Sequence, residues 1–86
     1  MLKVLRSSSA CNSSLIGDIL IDCGLNPKAV VRLSGIVPKA VLLTHEHSDH
    51  SRLVSDWLRV CPVYATYGTW KALKRLASRN VQIVEP

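Results

Sequence analysis

The sequence predicts an α/β domain, and three observations carry that prediction. Short apolar runs alternate with segments whose apolar residues recur at helical spacing. Turn and cap residues punctuate the boundaries between them. The chain has 86 residues, 48% of them hydrophobic, which is room for one small domain or part of a larger one, and not for two. That apolar content, with only four Gly and four Pro, also excludes a disordered chain.

The elements follow in order. Residues 2–5, LKVL, read as a short strand. The SSSACNSS that follows is small, polar and turn-like, so a second strand is expected to begin only at Leu15 and Ile16. Gly17-Asp18 is a tight-turn pair between two apolar runs. ILIDC, residues 19–23, then reads as a strand ending at Gly24. Asn26 caps a helix with Pro27 at its first position, and Gly35 stops it. Leu33 is expected to pack inward with Val30 and Ala29, three and four residues back.

Lys39 to Thr44, KAVLLT, contains a continuous apolar run of the kind a buried parallel strand shows. Ser48 or Asp49 caps the next helix, which is expected to run to about Arg59. Leu53 and Trp57, with Val54 and Leu58, make its apolar stripe. VYAT after Pro62 is a further strand, and Thr66 to Thr69 a turn or cap. Trp70, Leu73 and Ala77 line one side of a third helix, with Leu76 beside them. Val81 to Val84 is the last strand. Two- or three-turn helices between short strands imply parallel crossovers. A parallel sheet needs cover on both faces, and three helices with an early hairpin do not supply it. Either the chain dimerises or an apolar partner surface is missing.

The net charge is +5, and it is unevenly distributed. Arg52, Arg59, Lys71, Lys74, Arg75 and Arg79 against Asp56 and Glu85 concentrate the excess after residue 50. Lys71, Lys74 and Arg75 are candidates for contact with a phosphate backbone, against the plainer reading of a solvated helix face. There is no helix-turn-helix signature and no aromatic stacking platform. Trp57 and Trp70 sit on apolar stripes, which assigns them to the core. Tyr64 and Tyr67 remain weak surface or site candidates. The three cysteines form no CxxC pair, which favours free thiols in a reducing compartment over a disulfide scaffold or zinc knot. No run of 18 apolar residues and no secretory signal are present, so a cytoplasmic protein without a membrane partner is the default expectation. No phosphate-cradling glycine loop or dinucleotide fingerprint appears. Ser7, Ser8 and Ser9 have no base and acid arranged to activate them.

All three histidines fall in Thr44-His45-Glu46-His47-Ser48-Asp49-His50, directly after the expected central strand. His45 and His47, two apart, can reach one metal from an extended or looped segment. Asp49 and His50, at the turn into the helix, can hold a second. Imidazole nitrogen and carboxylate oxygen together suit a borderline divalent ion such as zinc. Open α/β sheets place ligands at the carboxyl ends of their strands. Glu46, between the two proposed ligands, is expected to point away from them.

THEHSDH resembles the HxHxDH signature of the metallo-β-lactamase fold superfamily, matching it at His45, His47, Asp49 and His50. ILIDCG, with Asp22 and Gly24, resembles the strand and turn that precede that signature. VLRSSSACNSSLI resembles the serine-rich start of the superfamily's bacterial phosphodiesterases and nucleases, which usually show glycine where Arg6 and Cys11 stand here. Pro62 to Thr66, followed by Thr69, is similar to that subgroup's next strand and turn.

The resemblance implies that residues 1–86 are the N-terminal half of an αββα sandwich. It implies two zinc ions, with manganese as the other candidate. His45 and His47 would serve the first ion, and Asp49 and His50 the second. Asp49 is thereby the candidate catalytic residue, and Asp22 would position the loop. A metal-activated water would attack a phosphodiester, nucleic acid among the candidates. The family also uses a further histidine, a bridging aspartate and a last histidine. After His50 this sequence has no histidine, and its remaining acids, Asp56 and Glu85, stand in no matching motif. The alternative is therefore a catalytically silent truncated fragment, or a half-domain interaction module completed by another chain.

Overall fold

The structure, a computed structural model, describes residues 2–7, 12–44, 51–74 and 79–85. Six strands and three helices occur among the described residues: β1 Leu2–Ser7, β2 Asn12–Ile16, β3 Ile19–Ile21, α1 Pro27–Ser34, β4 Ala40–Leu42, α2 Ser51–Leu58, β5 Val63–Ala65, α3 Tyr67–Leu73 and β6 Val81–Ile83. The strands form one mixed sheet in the order β1-β2-β3-β4-β5-β6. The first three are antiparallel, and β3 to β6 are parallel.

The hairpin between β2 and β3 turns at Gly17-Asp18, where Ile16 pairs with Ile19 and Gly17 takes a φ of 61°. β2 starts at Asn12, three residues earlier than the polar composition suggests. The ladder satisfies backbone groups whatever the side chains are: Asn12 pairs with Ser7, Ser13 with Arg6 and Ser14 with Val4. The register shifts between Val4 and Arg6, a bulge on β1. Ser13 is fully buried, and its hydroxyl donates to the Asp22 carbonyl at 2.8 Å. β3 ends at Ile21 and not at Cys23, because Asp22 turns into the left-handed region with a φ of 58°. β4 is likewise shorter than KAVLLT, although the Leu43 N–H still donates to the Tyr64 carbonyl at 2.8 Å.

α1 forms as its end signals dictate. The Asn26 side chain accepts from the Ala29 N–H at 2.8 Å, and Pro27 occupies the first turn. Gly35, with a φ of 71°, closes the helix by donating to the Val31 carbonyl at 2.8 Å. Leu33 does not pack inward; it is 53% exposed. The Gly35 turn brings Ile36 back against the core instead, so the last helical turn stands clear of the sheet. α3 has Thr66 as its cap, and the Thr66 hydroxyl accepts from the Thr69 N–H at 3.3 Å. It ends at Leu73, where Lys74 takes a φ of 58°. Leu76 and Ala77, expected on this helix, lie outside the described residues.

The two layers meet in one core. Leu15, Leu20, Val41, Val63 and Ala65 from the sheet pack with Val30 of α1, with Val54, Trp57 and Leu58 of α2, and with Trp70 and Leu73 of α3. Trp57 donates its indole N–H to the Leu25 carbonyl at 2.8 Å, and Trp70 to the Gln82 carbonyl at 2.9 Å. Each indole thus buries its ring and satisfies its one donor. Consecutive parallel strands in sequential order, joined by crossovers of one hand, put all three helices on the same face. On the other face stand Val4, Ile16, Ile19, Leu42 and Tyr64, exposed by 56%, 50%, 42%, 36% and 36%. Among the described residues nothing covers this second face.

Candidate functional site

β4 ends at Leu42 and α2 begins at Ser51, so in chain order the His45–His50 segment stands between the carboxyl end of β4 and the first residue of α2. His45, His47, Asp49 and His50 themselves lie outside the described residues, as does Glu46. The structure does describe what anchors the two ends of the segment.

The upstream anchor is Asp22. Its Oδ1 accepts from the Thr44 N–H at 2.9 Å, and its two carboxylate oxygens accept from the Thr44 hydroxyl at 3.0 and 2.8 Å. The Asp22 N–H donates to the Leu42 carbonyl at 2.8 Å, and the Asp22 carbonyl receives the Ser13 hydroxyl. Asp22 is thus tied to β2 and β4 as well as to its own strand. Its left-handed backbone, which Asp tolerates better than most residues, aims the carboxylate across to Thr44. The residue immediately before His45 is therefore clamped in both main chain and side chain. The downstream anchor is hydrophobic: Val54, Trp57 and Leu58 root α2 in the core.

Next to Asp22 lies Cys23, buried and free. Burial, and secondarily the Asp22 charge, pushes its thiol up to about 12. Burial also raises the Cys61 thiol. Both are core residues, held as neutral thiols and unsuited to act as metal-binding thiolates. Among the described residues there is no group of three or more His, Cys, Asp or Glu able to hold a metal.

The basic candidates stand elsewhere. α3 begins at the carboxyl end of β5 and must return the chain to the start of β6, so it runs against the strands. Lys71, in its last turn, and Lys74, just after it, are exposed and sit toward the end of the sheet opposite Thr44. Arg75 lies outside the described residues. At the Thr44 end the described residues place instead Thr66 and the exposed Tyr67, at the start of α3.

Sequence reasoning singled out Asp22 but passed over its partners, Thr44 and Ser13. A hydroxyl next to the histidine cluster was the available signal for Thr44. Ser13 carried none, because a serine in a polar run gives no sign that it will be buried.

The profile of the metallo-beta-lactamase superfamily matches residues 8–75. The chain is 35% identical to the exodeoxyribonuclease YycJ of Bacillus anthracis over 86 residues, covering 86% of this chain and 33% of that protein. It is 32% identical to the exodeoxyribonuclease WalJ of Streptococcus pneumoniae, covering 84% of this chain and 31% of that protein. A hydroxyacylglutathione hydrolase-like protein of Gallus gallus is 38% identical over 50 residues, 58% of this chain and 18% of that protein. The chain thus spans about a third of the length of the two exodeoxyribonucleases. No solved structure matches it with significance.

Proposed function

The chain belongs to the metallo-β-lactamase superfamily, and from that premise we propose that it is a half-domain module of a nuclease-like hydrolase, silent until a second sheet layer completes it. The observation that carries this reading is the Asp22–Thr44 clamp at the root of a segment holding three histidines and an aspartate. A loop built only as a solvated connection needs no such anchoring. Likeness to two exodeoxyribonucleases points to DNA, or another phosphodiester, as the substrate of the completed domain.

The donor set fits the implied metal in kind. His45, His47, Asp49 and His50 would hold zinc, or manganese, through imidazole and carboxylate groups. An ion there supplies Lewis acidity and an activated water. The set does not fit in number: two donors for each of two ions fall short of the three that catalytic zinc sites carry. The rest of the site belongs to the remaining domain, in the same polypeptide or in another. The role of this chain is to present the loop: Asp22 fixes its start, and the α2 core contacts fix its end. Lys71 and Lys74, with Arg75, would meet the backbone of a bound strand away from the reacting phosphate, because α3 carries the two described lysines toward the opposite end of the sheet.

The test is a chimera in which this sequence replaces the matching third of the Bacillus exodeoxyribonuclease. Metal-dependent DNA hydrolysis by the chimera, lost on His47→Ala and absent from the 86-residue chain alone, is the expected result. A chimera that folds and binds zinc but leaves DNA intact would overturn the nuclease reading. Hydrolysis by the 86-residue chain alone would overturn its silence.

A further inference from the structure

We infer that Ser13 is a positioning residue for the histidine segment, acting through Asp22: its hydroxyl takes the place of the ladder rung that Asp22 forgoes, and so holds the turn that carries the carboxylate to Thr44. The inference rests on the half-domain reading above. Ile16 pairs with Ile19, Leu15 with Leu20 and Ser14 with Ile21, and there the β2–β3 ladder stops. The next pair in that register is Ser13 with Asp22. Asp22 leaves it by turning to a φ of 58°. The Ser13 hydroxyl meets the Asp22 carbonyl all the same, donating to it at 2.8 Å. A side-chain bond thus closes the position that main-chain pairing leaves open.

The two faces of the sheet supply the reason. Side chains alternate along a strand, so an extended Asp22 would share the face of Leu20. Leu20 is wholly buried in the core, and a carboxylate there would be stranded without water. The left-handed turn avoids this, and the carboxylate accepts from the Thr44 N–H and hydroxyl instead. The turn also takes the Asp22 carbonyl out of the ladder, and that carbonyl still needs a donor. Ser13, buried like its strand neighbour Leu15, provides it. Ser13 and Thr69 are the buried polar residues among the described ones, and Thr69 is bonded within the cap of α3. An apolar residue would serve packing at position 13 equally well, so the hydroxyl is there for its bond. Cys23, Gly24 and Leu25 run straight on into the core, which makes Asp22 the last point at which the turn can be set.

Amide hydrogen exchange and zinc binding test this together. The Thr44 N–H reports the clamp, and the Leu43 N–H, which donates to the Tyr64 carbonyl at 2.8 Å, reports the adjoining sheet. In the 86-residue chain, Ser13→Ala is expected to speed Thr44 exchange roughly tenfold, the worth of one hydrogen bond, and Leu43 exchange far less. In an Asp22→Ala background it should add nothing at Thr44, because no carboxylate reaches that residue. Equal acceleration at Leu43 and Thr44, or full additivity of the two substitutions, makes Ser13 a stabilising residue only and overturns the inference. So does an unchanged Thr44. In the chimera with the Bacillus exodeoxyribonuclease, Ser13→Ala is expected to weaken zinc binding roughly tenfold, as loss of a group that orients metal ligands does. Undiminished zinc affinity overturns the inference. Zinc binding that falls on Ser13→Ala in a chimera that never cleaves DNA upholds the role of Ser13 and removes the nuclease reading alone.

Discussion

Asp22 and Thr44, 22 residues apart, are joined by a carboxylate that accepts the Thr44 main-chain N–H at 2.9 Å and its hydroxyl at 2.8 Å. The pair bridges the end of β3 and the end of β4, one residue before His45. It converts a strand terminus that would otherwise fray into a fixed point from which the histidine segment departs.

That relationship predicts a graded series at residue 22. Asp22→Asn keeps one acceptor oxygen and tolerates the left-handed backbone, so it should cost less than Asp22→Ala. Asp22→Ala loses the charged acceptor, worth about 1–2 kcal/mol at this partly exposed site, and also leaves at a φ of 58° a residue without the short polar side chain that eases that conformation. Asp22→Gly loses the acceptor alone and should unfold about 1 kcal/mol later than the alanine variant. Urea unfolding measures the order; alanine at least as stable as glycine would remove backbone conformation from the account.

The two tryptophans should respond unequally. Trp57→Phe strands the buried Leu25 carbonyl, which costs about 1–3 kcal/mol beyond the lost ring contacts. Trp70→Phe frees the carbonyl of Gln82, an exposed residue whose bond to the indole is only part-buried. The phenylalanine at 57 is therefore expected to be the more destabilising by at least 1 kcal/mol on the same scale. Equal losses of stability by thermal melting would contradict it.

The buried thiols predict an alkaline limit. The Cys23 thiol rises from 9.0 to about 12 on folding, because burial disfavours the thiolate. The unfolded chain then releases its proton at lower pH than the folded one, so this contribution is whole below pH 9.0 and is lost as pH climbs toward 12. The slope is at most about 1.4 kcal/mol per pH unit from this residue. Cys61 adds to it in the same direction. Unfolding titrations on Cys23→Ala should show a flatter decline, and a thiol reagent at pH 8 should label neither residue until the chain unfolds.

The ends of α1 supply the last prediction. Asn26→Ala removes the acceptor for the Ala29 N–H and should cost about 1 kcal/mol. Gly35→Ala meets no atom within 4 Å, so its cost, about 1 kcal/mol, comes from the left-handed φ alone. Gly35→Asn should recover part of that loss. A Gly35→Ala protein as stable as the parent would show that the helix can end another way.

The sequence by itself determined the α/β class, the order of the elements, the caps at Asn26, Gly35 and Thr66, and the core placement of Trp57 and Trp70. These are local matters: short-range periodicity and end chemistry act within a few residues, so they are written in the chain. It also displayed the histidine motif and Asp22 as its companion, since spacing and residue type are one-dimensional. Only the tertiary structure decided that Ser13 is buried in a strand, that Leu33 faces water while Ile36 turns back to the core, and that Thr44 is what Asp22 grips. It alone directed Lys71 and Lys74 away from the Thr44 end of the sheet and, among the described residues, left the row from Val4 to Tyr64 uncovered. Those outcomes depend on which strands become neighbours and on which side the helices fall, and such long-range pairings leave no mark at any single position of the sequence.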